Sequence, residues 1–260
     1  MRAFSRLIEI MKQLRDPEAG CPWDREQTIP SILPYTLEEV YELADAIERN
    51  DMPGVRDELG DLLFHLVFYA RLAEESGQFD FEQVAAGIVA KLERRHPHVF
   101  GGARVDSAAD QSVAWEILKT EERRSAGVEQ RFLDGISAAM PAMLRAHKLQ
   151  KRAATVGFDW TEPGPVLAKV EEELQEIRAA LDADKPRDII AGEVGDLLFA
   201  VINCARHLGV DPELALRTTN AKFEQRFGAI EAELKARGQS LEQATLDEME
   251  VLWQAAKKPD

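Results

Sequence analysis

The sequence predicts an all-α protein made of two tandem copies of one helical unit. Three observations carry this. Apolar residues recur at spacings of three and four rather than two. Helix start and stop residues punctuate the chain at helical lengths, with no hairpin or run of alternating strands between them. Five segments of the first half return in the second half in the same order.

Each element follows from its residues. The opening "MRAFSRLIEIMKQLRDPEAG" is amphipathic, unlike the charged head and apolar run of a secretion signal. Thr36 with Glu39 fits a capping box ahead of the helix carrying "LEEVYEL" (37–43), and Asn50 stops it. The stretch "ELGDLLFHLVFYARL" (58–72) reads as a helix with acids at its head and apolar residues around most of its girth, closed by Gly77. Asp80 with Gln83 caps the next helix, which runs into "KLERRHPHVF" from Lys91. The polar, glycine-bearing "RRSAGVEQRFLDGI" (123–136) reads as a connection, taken together with a helix at about 143–152. This divides the chain into a first copy, 1–122, a connecting segment, 123–152, and a second copy, 153–260.

In the second copy "VEEELQEI" (170–177) precedes "EVGDLLFAVINCARHL" (193–208). Gly209-Val210-Asp211-Pro212 then stops one helix and caps the next, with proline at its first position. Thr245 with Glu248 caps the last. The copies align through Trp23-Asp24 with Phe158-Asp159, 37–43 with 171–177, and the two Glu-x-Gly-Asp segments. Lys91 and Arg95 pair with Lys222 and Arg226, and Trp115 and Lys119 with Trp253 and Lys257.

Composition excludes several classes. A net charge of −15 over 260 residues argues against nucleic acid as the main partner. The longest apolar stretch, 62–70, is broken by His65 and too short to span a bilayer, so no membrane partner is expected. Cys21 and Cys204 sit in no metal spacing and read as reduced thiols of a cytoplasmic protein.

The acids carry the chemistry. Each copy places Glu-Glu-x-x-Glu on one helix and Glu-x-x-Asp on the next: Glu38, Glu39, Glu42, Glu58 and Asp61, then Glu172, Glu173, Glu176, Glu193 and Asp196. Residues three apart share a helix face, so antiparallel packing brings four carboxylates together. Such a cluster resists ionisation unless a hard divalent cation neutralises it, and oxygen ligands suit Mg²⁺ or Mn²⁺. Gly60 and Gly195 offer room for a close approach of backbone or substrate. One such acidic motif would ordinarily be a solvated face, but repetition of both pieces on apolar helices favours metal. A zinc-hydrolase His-Glu-x-x-His is absent, and the single Glu93-to-His96 pair has no partner for a di-iron bundle. His65 has Ala200 as its counterpart and reads as a packed histidine. Lys222 and Arg226, one helical turn apart, suit either an anionic ligand or an exposed helix face; Trp253 suits either a stacked base or the core.

These segments, with "PYTLEEVYEL", "VGFDW" and "NAKFEQRF", resemble the two-copy bacterial form of the MazG nucleoside triphosphate pyrophosphohydrolases, in the all-α NTP pyrophosphatase group. The resemblance covers essentially the whole chain. It implies cleavage of nucleoside triphosphates and deoxynucleoside triphosphates between the α and β phosphates, Mg²⁺ dependence with Mn²⁺ as a substitute, and a four-helix-bundle core completed by homodimerisation. It implies Glu173, Glu176, Glu193 and Asp196 as metal ligands, with Glu39, Glu42, Glu58 and Asp61 in the first copy. Lys169, Glu172, Lys222, Arg226 and Trp253 fall where the family contacts nucleotide, Glu172 being a candidate base and Lys222 and Arg226 candidate stabilisers of pyrophosphate. Two-copy relatives favour the second copy as the main catalytic one; the first departs in carrying "HPHVFG" where the second has "FGAI". Two alternatives remain open, a base-restricted dUTP or dCTP hydrolase and a non-catalytic nucleotide-sensing scaffold.

Overall fold

The computed structural model describes residues 2–102, 107 and 131–257. Contacts divide the chain into two compact units, Met1–Gly127 and Val128–Asp260. Every regular element among the described residues is helical.

The first unit contains α1 (Arg2–Leu14), α2 (Pro22–Glu26), α3 (Ile29–Glu48), α4 (Met52–Glu75), α5 (Phe81–Arg95) and the short α6 (Pro97–Phe100). In α1, Phe4, Leu7, Ile8 and Met11 fall on one stripe and pack on α4. Met11 and Phe68 are fully buried there with Ile32, Val67 and Leu72. Arg15 ties the lower end together: it meets Glu75 at 2.6 Å and donates to the backbone carbonyls of Asp24 and Gln27. Arg15 and Arg71 hold the Glu75 carboxyl below the usual range although burial pushes it up.

The α3–α4 hairpin is antiparallel. Thr36 meets Tyr69 at 2.9 Å near one end, and Ala46 lies beside Gly54 near the other. The connecting turn needs one left-handed residue, supplied by Asn50 at φ 55°. Its counterpart in the second unit is Asp184 at φ 49°, a shared turn position that the segment alignment passed over.

Three expectations need revision in this unit. The cap of α3 is Thr28, not Thr36: Thr28 and Ser31 form the capping box, at 2.8 and 3.3 Å. Thr36 sits within the helix and donates to the Ile32 carbonyl, because the helix already starts at Ile29, with Pro30 in its first turn and Pro34 inside it. The acids also do not head their helices, since Met52 starts α4 well before Glu58 and Asp61. Nor is α4 buried all round, for Leu59 and Leu66 are 53% and 56% exposed. The expected caps Asp80 and Thr245 are present as capping boxes, and Asp211 accepts from Leu214 N at 3.0 Å.

The second unit contains α7 (Ala142–Ala154), α8 (Pro163–Asp182), α9 (Arg187–His207), α10 (Pro212–Ala236), a 3-10 turn (Leu241–Gln243) and α11 (Leu246–Ala256). The helix assigned to the connecting segment is α7, which packs on α9 and α10 within this unit. It plays the part that α1 plays against α4. The α8–α9 hairpin repeats α3–α4, and Ile230, Leu234 and Leu252 knit α10 to α11. Trp115 and Lys119 lie outside the described residues. Both cysteines are free.

Candidate active site

Antiparallel packing of each hairpin converts the sequence spacing into a carboxylate cluster. Glu39 from α3 meets Glu58 and Asp61 from α4, with ligand oxygens all within 4.8 Å of one another. Glu173 from α8 meets Glu193 and Asp196 from α9 within the same limit. The fourth acid of each set, Glu42 or Glu176, stands exposed at the edge of its cluster rather than inside it.

Crowding of like charge is visible in the protonation behaviour. Burial pushes the Glu39 carboxyl up, and Asp61, Glu42 and Glu58 push it further. The Glu173 charge, followed by burial, raises Glu176. Glu173 is only 5% exposed, and its Oε2 is buried with no hydrogen-bond partner. Its other oxygen meets Lys169 Nζ at 2.7 Å; the same ammonium reaches Glu172 at 2.8 Å, and the two acids raise the lysine's pKa. The position matching Lys169 in the first unit is Tyr35, which packs edge-on to Trp23. At this position the first copy therefore carries no cation.

A cavity of about 670 Å³ opens beside the second cluster. Lys169, Glu173 and Asp196 line it together with Phe158, Trp160, Phe199 and Val166. Asp159 holds the Phe158–Trp160 segment in place, accepting from Arg206 Nη2 at 2.5 Å and meeting His207 Nε2 at 2.8 Å. The hydrogen bond from Arg206 leads the causes that bring its pKa down to about 2. A depressed carboxylate contributes stability above its ordinary range and loses it as pH falls through the folded value. Asp159→Asn should therefore lower the melting temperature by about 3 °C near pH 7. The gap to wild type should narrow as melts are taken down to about pH 3; a constant gap would exclude the carboxylate as its source.

The remaining expected residues lie elsewhere in the unit. Trp253 is half-buried against Phe223, ring centroids 5.3 Å apart, with the Arg226 guanidinium 5.6 Å over its ring. Lys222 is exposed on the same helix. None of the three lines the cavity. A Cβ added at Gly60 or Gly195 would meet nothing within 4 Å among the described residues, so both positions face open space. His65 is buried, its pKa lowered by burial, with Nδ1 unpartnered. Sequence reasoning paired Ala200 with His65 but did not single out Gln150 or Asn203, which line the cavity with it; the available signal for Asn203 was the loss of Phe68 at its position in the repeat.

The model of the MazG nucleotide pyrophosphohydrolase domain matches residues 27–100 and again 162–228, one match over each hairpin and its acids. The chain belongs to the MazG nucleotide pyrophosphohydrolase family. Membership makes it a hydrolase, with the MazG domain present twice. It is 49% identical to the nucleoside triphosphate pyrophosphohydrolase of Escherichia coli strain K12, over all of this chain and 99% of that protein. It is 41% identical to the nucleoside triphosphate pyrophosphohydrolase/pyrophosphatase MazG of Thermotoga maritima, over 99% of this chain and 96% of the relative. A nucleoside triphosphate pyrophosphohydrolase of Mycobacterium tuberculosis is 36% identical over 155 residues, 59% of this MazG chain and 46% of its own.

Proposed function

We propose that the chain hydrolyses nucleoside and deoxynucleoside triphosphates between the α and β phosphates, giving a monophosphate and pyrophosphate, in a Mg²⁺-dependent reaction with broad base tolerance. The observation that carries this reading is the second unit's acid cluster, with its buried, unpartnered Glu173 oxygen, at the mouth of a nucleoside-sized cavity.

The donor set fits the ion. Every group is a carboxylate, an oxygen ligand of the kind Mg²⁺ favours, and a divalent charge would relieve the repulsion that helps raise Glu39 and Glu176. Glu173, Glu193 and Asp196 would hold it, with Glu176 at the edge. When bound, Mg²⁺ supplies Lewis-acid polarisation of phosphate oxygens and a more acidic water. The chain's own residues supply the rest. Lys169 sits between Glu172 and Glu173, where its ammonium can meet a phosphate oxygen. Glu172, its side chain 57% exposed and one oxygen paired with Lys169, is open to solvent on a side from which it can accept a proton from an attacking water. Lys222, Arg226 and Trp253 stay in this reading as nucleotide contacts, although they lie off the cavity.

We also propose that the chain works as a homodimer. Each hairpin turns an apolar stripe outward: Leu167, Leu174 and Leu181 on α8 and Val194, Leu198 and Val201 on α9 are all at least 40% exposed. A two-fold copy of that stripe is its natural cover, giving a four-helix core. The free thiols suit a cytoplasmic role in nucleotide-pool housekeeping. Among the described residues no helix is long and apolar enough to cross a membrane.

Product analysis with all eight common triphosphates, with and without Mg²⁺, tests the reading. Monophosphate and pyrophosphate should appear in equal amounts from each base, only with the metal. Activity confined to dUTP or dCTP would replace the broad form by a restricted one, and release of orthophosphate with diphosphate would overturn the cleavage position.

A further inference from the structure

One buried group in the second unit is left unused by the chemistry at the phosphates. Gln150, on α7, is 8% exposed. Its Nε2 donates to the Phe199 carbonyl at 2.8 Å, which fixes the orientation of the amide, since a carbonyl takes only a donor. Oε1 is thereby left buried with no hydrogen-bond partner among the described residues. A buried acceptor with no partner within the chain is costly and calls for a donor from outside it. Gln150 lines the 670 Å³ cavity, as does Asn203, which is 9% exposed. The Asn203 Oδ1 accepts from Arg206 Nε and Nη2 at 3.0 and 2.8 Å, so the amide nitrogen is the group it has left to offer.

The cavity therefore holds one acceptor and one donor between aromatic walls, at a short remove from the acids. Phe158 is 83% exposed and Trp160 44%, surfaces that a planar ring would cover. The repeat provides an internal comparison. Where the second unit has Ala200 and Asn203, the first has His65 and Phe68, both buried, Phe68 completely so in the core with Met11. The first unit fills with side chain the space that the second leaves open.

Resting on the function proposed above, we infer that this cavity receives the base of the nucleotide, and that Gln150 and Asn203 hold its polar edge. Gln150 Oε1 accepts from an N–H of the base edge and the Asn203 amide donates to a neighbouring nitrogen or carbonyl. Every base presents a donor beside an acceptor, so one such pair serves all of them. Among the described residues of the first unit, His65 and Phe68 stand where this pocket would open.

The test is a binding measurement, so it does not depend on turnover. Calorimetry with Mg²⁺ compares α,β-methylene ATP with its purine riboside counterpart, which lacks the exocyclic amine, on wild type and on Gln150→Leu. Inorganic tripolyphosphate is titrated alongside to read the phosphate end alone. Wild type should bind the adenine analogue about tenfold more tightly than the purine one, and Gln150→Leu should bind the two alike. Tripolyphosphate affinity should be the same in both proteins. Asn203→Phe, which imports the first unit's side chain, should weaken both nucleotides and spare tripolyphosphate. Equal affinity of wild type for the two analogues, the same preference in Gln150→Leu, or a parallel loss of tripolyphosphate would overturn the inference. Absence of pyrophosphate release from a protein that passes these measurements would instead sink the functional reading.

Discussion

Glu193→Gln and Asp196→Asn, made singly, should each reduce pyrophosphate release by at least about a thousandfold, the scale on which an ion's stabilisation of developing charge is lost. Both variants keep the volume and shape of the side chain, so helix α9 has no packing reason to change. The three carboxylates repel one another when no cation is present. Deleting one charge should therefore leave the metal-free melting temperature equal or higher, while the Mg²⁺-induced rise seen in wild type disappears. Glu58→Gln in the first unit makes the contrast. It should abolish cation binding there, read by Mn²⁺ titration, and leave most turnover in place, because His65 and Phe68 fill the space that a nucleoside needs. Near wild-type turnover in both α9 variants, or collapse in Glu58→Gln alone, would reverse the assignment of work between the units.

Leu198→Asp should split the proposed homodimer. Leu198 is 56% exposed at the centre of the outward stripe of α9, between Val194 and Val201. A carboxylate placed there would be buried against apolar side chains of a second copy without a partner, at a cost of several kcal/mol. Light scattering should report a fall from two chains to one, with a loss of turnover of more than about tenfold as the core beside Asp196 loosens. Leu246, 77% exposed at the start of α11 and off the stripe, is the control: Leu246→Asp should leave the assembly as it is. A Leu198→Asp protein that remains dimeric and active would show that the stripe is covered in some other way.

Much of this was legible in the sequence because it depends on local spacing. Helical periodicity, the caps at Asp80, Asp211 and Thr245, and the doubled acid motif all concern residues within a turn or two of each other. The cap of α3 was misread because Thr36-x-x-Glu39 matches the capping signature as well as any true one. Only the backbone reveals that the helix already runs through it from Thr28. Three acids of each set have oxygens within 4.8 Å of one another, while Glu42 and Glu176 stand exposed and act on the same clusters through their charge. The cavity was invisible, because Gln150, Phe158, Asn203 and Arg206 come from three separate segments.

The sequence by itself determined that the chain is helical, that it repeats, and that each repeat carries acids fit for a divalent cation. Those properties follow from side-chain type and from the 3.6-residue turn. Only the tertiary structure decided which acids meet, that Lys169 guards one cluster while Tyr35 stands by the other, and that one unit is hollow where its twin is filled. Volume and hydrogen-bond satisfaction belong to groups of side chains brought from distant segments, and no single stretch of chain contains them.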